Sequence, residues 1–165
     1  MDSLHPTKRA LIVTVLDQLK TAKPSEITSE SVLEKSGISK GSLYHHFEDF
    51  DDLIETAQVI RYAAYVDQSI HLLTKVFQTA KNRDEMVTEL KKITRFTQSP
   101  ELMPQRMDRV TSISLANNNP RMLKKMNAEQ DRLNEAISDV FREAAERDVR
   151  DASPPVAIAP RCVST

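Results

Sequence analysis

Glycine is almost missing from this chain. Its 165 residues contain two, Gly37 and Gly41. A sheet-rich fold with many tight turns needs more than that, which leaves a helical architecture. Glycine-rich phosphate loops of either common kind are excluded for the same reason. Cysteine is equally scarce. The single Cys162 rules out an internal disulfide framework and points to a reducing compartment, the cytoplasm. No apolar run approaches the ~20 residues of a membrane span. The nearest thing to a secretory segment, residues 10–16, is broken at once by Asp17 and Gln18. Neither sign of charge is in excess, with 23 basic and 24 acidic side chains. No serine, cysteine or carboxylate pair stands in a catalytic arrangement, so neither an enzyme nor a cofactor is expected.

What is present is helical periodicity. Ile12, Val15, Leu16 and Leu19 follow the i, i+3, i+4, i+7 spacing of one buried helix face. Pro6 and Thr7 open that helix, and residues 21–24 close it, because Pro24 biases Lys23 away from helical angles. Thr28 is placed to cap a second helix that runs to Ser36 with Val32 and Leu33 turned inward. Gly37 follows where a left-handed residue ends a helix. Ser39 is a fresh N-cap, and a third helix from Lys40 to His46 buries Leu43 and Phe47. A fourth starts near Asp51, whose acidic neighbours suit a helix N-terminus, and continues toward Ala80 with room for a kink. Residues 82–84 interrupt it. Met86, Leu90 and Ile93 mark a fifth helix, and Met103, Met107 and Val110 a sixth that ends in Asn117, Asn118 and Asn119. Pro120 opens a seventh with the cleanest stripe of all: Met126, Leu133, Ile137, Val140, Phe141 and Ala144. Residues 151–165 hold three prolines and no period, and are expected to be a disordered tail.

The second and third helices are joined by a turn short enough to force a sharp corner. Such a corner pushes the second helix away from its own domain, so that its outer face can enter a groove of helix width. Lys40, Ser42, Tyr44, His45 and His46 lie on that face around the inward Leu43. Hydroxyls, imidazoles and a lysine suit phosphates and base edges, and Gly41 permits close approach.

The string from Gly37 to Phe47, with Thr28 before it and Leu53 after it, resembles the recognition region of the TetR family of transcriptional regulators. With the first-helix pattern, the resemblance covers roughly residues 7–55. It implies that Thr28, Tyr44 and His46 meet the DNA backbone. It also implies that Ser39, Lys40, Gly41, Ser42 and His45 reach backbone or base edges, and that Gly37, Ile38, Leu43 and Phe47 form the turn and small core. The implied organisation is all-α: a DNA-binding head at 1–50, then a helical ligand-binding and dimerisation bundle at 51–150. The implied partners are double-stranded operator DNA, a second copy of the chain and a small-molecule effector whose binding residues are unknown.

The chain departs from the family pattern in its shortened C-terminus, where members commonly continue through two more long helices, and in the stretch just after Phe47. Where members often carry a lysine after the phenylalanine there is Phe50, flanked by Glu48, Asp49, Asp51 and Asp52. Residues 1–65 hold 7 basic against 10 acidic side chains, a balance of −3 and an unusual one for a DNA-binding head. That cluster supports an alternative, a helical protein-interaction module that no longer grips DNA. Neighbouring His45 and His46 diverge by about 100° on a helix and cannot share a metal. His5 and His71 are read as surface residues, and the methionines as core filling rather than pocket lining. The seventh-helix stripe, Tyr62 and Tyr65 suit either core or a second subunit.

Overall fold

A computed structural model describes residues 4–151. Among these residues there are seven α-helices, two short 3-10 turns and no strand, as the glycine count requires. The expected tail, with Cys162, lies outside them except for its first residue, Asp151, which is helical.

Helix α1 (Pro6–Gln18) begins with a proline whose missing N–H has no partner to lose at that position. The His5 imidazole caps it, its Nδ1 accepting from the Thr7 N–H at 3.3 Å. A 3-10 turn (Pro24–Glu26) leads to α2 (Ser29–Ser36) and α3 (Lys40–His46), whose bounds match the spacing of their capping residues. Leu11, Ile12, Val15 and Leu19 pack with Ile27, Val32, Leu43 and Phe47 into one core. Leu53 and Ala57 complete that core, and both come from α4 (Phe50–Thr79). The end of the expected head, residue 50, therefore coincides with the first turn of a helix that the head's core uses.

Helix α4 runs as one element of 30 residues. Its middle builds another core, in which Tyr62 and Val66 meet Ala116 of α6 (Met103–Asn117) and Met122, Met126 and Leu133 of α7 (Pro120–Asp151). Helix α5 (Arg83–Thr97) lies beside α4 and buries no residue completely. The expected break at 82–84 is a cap and a start: the Asn82 side chain accepts from the Glu85 N–H, and Arg83 and Asp84 are already helical.

Two stripes turn out differently from their periodicity. On α6, Met103, Met107 and Val110 face solvent, each at least half exposed. The buried side is made of the small residues Ser112 and Ala116, which let α6 lie close against α4. The Ser112 hydroxyl donates to the buried Gln58 Oε1 of α4 at 3.1 Å. The four methionines of α6 and α7 thus divide: Met122 and Met126 fill the core, whereas Met103 and Met107 do not. On α7 Met126 and Leu133 of the stripe are buried and Ile137 and Val140 partly covered, while Ala144 lies outside the described side chains. Phe141 is exposed, its ring edge-on to Phe77 of α4 with centroids 5.4 Å apart.

Candidate nucleic-acid interface

Local chemistry sets the corner between α2 and α3. The Thr28 hydroxyl oxygen accepts from the Ser31 N–H at 3.2 Å, satisfying a first-turn donor of α2. The Ser31 hydroxyl in turn reaches Gln18 Oε1 at 3.0 Å, which ties α2 to the end of α1. Gly37 ends α2 at φ +67°, in the left-handed region, with its N–H on the Leu33 carbonyl. Ser39 caps α3 by accepting from the Ser42 N–H at 3.3 Å, and the two hydroxyls lie 3.0 Å apart. Leu43 is wholly buried beneath and Phe47 nearly so, so α3 is anchored by one face alone.

Its outer face carries the residues that the sequence singles out. Lys40, Gly41, Tyr44 and His45 are exposed, as are Ser39 and Thr28 at the two helix starts. Ser42 and His46 are half-buried on its flanks. All eight lie on the α2–α3 unit and its caps.

His46 has neighbours that its sequence position does not announce. The His5 ring lies 4.7 Å from it and the His45 ring 5.1 Å. Lys8 stands over the Phe47 ring, 4.9 Å from its centroid. Burial pushes the His46 imidazole below its ordinary pKa, and electrostatic repulsion from His5, His45 and Lys8 pushes it further. His5 is a surface residue as expected, but it belongs to this face. No spacing rule links it to a histidine 41 positions away.

The acidic cluster is not a bare surface. Arg121, at the start of α7, reaches Glu48 at 2.9 Å, Asp49 at 3.1 Å and Glu55 at 2.7 Å. Lys125, one turn on, reaches Asp52 at 2.9 Å. Asp49 also caps α4, accepting from the Asp52 N–H. The hydrogen bond from Arg121 holds the Asp49 carboxyl below the usual range. At Asp52 burial pulls upward, but the hydrogen bond from Lys125 and the cations nearby outweigh it, and its pKa is also lowered. Phe50, where a lysine was expected, packs partly against the head's core.

Cavities lie along α4 among the described residues. One of about 360 Å³ lies where head meets bundle, with Ile27, Phe50 and Ile54 on one side and Leu115 and Met122 on the other. A smaller one, about 100 Å³, is lined by Tyr65, Leu72, Arg106 and Arg109. Arg106 is committed to structure there, donating to the carbonyls of Thr97 and Ser99 at 2.7 and 2.9 Å. Arg109 stands over the Tyr62 ring at 5.8 Å. No helix among the described residues is long and apolar enough to cross a membrane.

No family profile and no curated protein matches the chain. Among solved structures it is similar to E. coli NemR in its reduced form, at 18% identity and a TM-score of 0.46. That alignment covers 87% of this chain and 72% of the other.

Proposed function

We propose that this chain is a sequence-specific DNA-binding regulator of transcription that acts as a homodimer on a palindromic operator. One observation carries the reading: α3 is anchored on one side through Leu43 and Phe47 and presents Lys40, Gly41, Tyr44 and His45 on its exposed side. An element so mounted enters the major groove, where Lys40 and His45 meet base edges or phosphates while Thr28, Tyr44 and His46 hold the backbone. Ser39 and Ser42 add hydroxyl donors at the helix start. Two such heads on one side of a duplex need recognition helices about 34–36 Å apart, or a multiple of that.

A small-molecule effector that releases the DNA completes the proposal, making the protein a repressor. The larger cavity falls within the usual ~300–1000 Å³ of small-molecule sites and touches both head and bundle. The competing reading, a protein-interaction module, draws support from the exposed ridge of Met103, Met107 and Val110. Selection of bound duplexes from random DNA, with light scattering for subunit number, separates the two. The regulator reading expects a palindromic consensus, a dimer and an affinity that falls steeply with salt. A monomer that enriches no sequence overturns it.

A further inference from the structure

The carboxylates at the α3–α4 junction stand beside the proposed recognition face. Glu48 is two positions beyond the last residue of α3, and Asp49 is the cap of α4. Left unpaired, they would lie within the screening distance of about 8–10 Å from any phosphate that α3 approaches, and would repel it. They are exposed, Glu48 by 77% and Asp49 by 50%, but they are not unpaired. Glu48 and Asp49 turn onto the guanidinium of Arg121, Asp52 onto the ammonium of Lys125, and Glu55 is buried against Arg121 and Asn119.

We infer that Arg121 and Lys125 of α7 are positioning residues for nucleic-acid binding. They pair with the junction's carboxylates and offset their charge, so that the recognition face meets DNA without a row of uncompensated like charges beside it. The inference rests on the DNA-binding reading above and adds to it two residues some 75 positions from the helix–turn–helix. The geometry is suited to this task. A guanidinium offers a planar fork of donors, and Arg121 uses it on three acids at once through Nε, Nη1 and Nη2. Asp51, the acid left in the same stretch, sits in the first turn of α4, where the helix dipole favours negative charge. The arrangement also links DNA affinity to the seating of α7, because any shift that withdraws Arg121 returns charge to the junction.

Charge exchange tests this against a purely structural role, read as binding to the duplex that the wild-type chain selects. Arg121→Gln keeps hydrogen-bonding groups near Glu55 but removes the charge, and is expected to weaken binding about tenfold. The paired change Glu48→Gln with Asp49→Asn removes the acids instead, and Asn retains the cap of α4. That double variant is expected to bind at least as tightly as wild type, and in the Arg121→Gln chain it is expected to restore affinity. Weaker binding by the double variant means the ion pairs serve only to hold the head in place, and overturns the inference, as does unchanged affinity for Arg121→Gln. A wild-type chain that selects no duplex overturns the DNA reading itself, and this inference with it.

Discussion

Arg121 and Glu55 lie 66 positions apart, yet the guanidinium Nε is 2.7 Å from a carboxylate that is only 6% exposed. A buried charge with its partner removed is costlier than the pair is beneficial. Arg121→Ala is therefore expected to lower the urea midpoint distinctly, and Glu55→Gln added to it to recover part of the loss. Equal midpoints for single and double variants would show that the orphaned carboxylate is not the cause.

The same junction sets an acid limit. Asp49 and Asp52 both have folded-state pKa values below their ordinary ones. Such groups contribute stability that is present above the unfolded value, about 4, and is lost as pH falls through the folded value. The urea midpoint is expected to fall on acidification below the ordinary carboxylate range. Asp52→Asn should flatten that fall, since one linked proton is gone; an unchanged slope counts against the assignment.

The two glycines answer differently to alanine. At Gly37 an added Cβ meets nothing within 4 Å, so the cost is the left-handed backbone alone, about 1–2 kcal/mol. Gly41 is helical and equally open, so alanine there is expected to stabilise by up to ~1 kcal/mol. If DNA approaches the backbone at Gly41, that more stable variant binds DNA more weakly. Denaturation and binding curves on the same pair of variants check both statements.

Methionines on adjoining helices separate core from surface. Met122 is almost fully buried and Met107 is half exposed. Met122→Ala is expected to cost ~2–5 kcal/mol, whereas Met107→Ala stays within ~0.5 kcal/mol. Comparable losses at both sites would place α6 the other way round.

Within the interface, Tyr44→Ala is expected to weaken binding to all duplexes alike. Lys40→Ala and His45→Ala should also relax sequence preference. Repeating the duplex selection with each variant distinguishes a lost backbone contact from a lost base contact. An unchanged consensus and affinity for all three would remove α3 from the site.

What could be read from the sequence was what lies within a few residues of itself. Thr28, Gly37 and Ser39 carry their signals locally, since a cap bonds three residues on and a left-handed terminus favours glycine. The bounds of α2 and α3 followed from them. The orientation of α6 did not, because periodicity marks the apolar side of a helix without saying what covers it. There the covered side is built from Ser112 and Ala116, which a hydrophobic stripe overlooks. The partners of the acidic stretch were hidden for a different reason. Glu48 and Asp49 read as a repulsive patch until α7 is folded back over them, and no short-range pattern joins them to Arg121.

Helix α4 contributes Leu53 and Ala57 to one core and Tyr62 and Val66 to the other, without a break between. That continuity leaves no linker to cut. A fragment ending at residue 50 lacks the inner wall of its own head, and one beginning there exposes two apolar residues that had a home. Head and bundle are thus coupled in melting, each holding rigid the helical segment that the other needs.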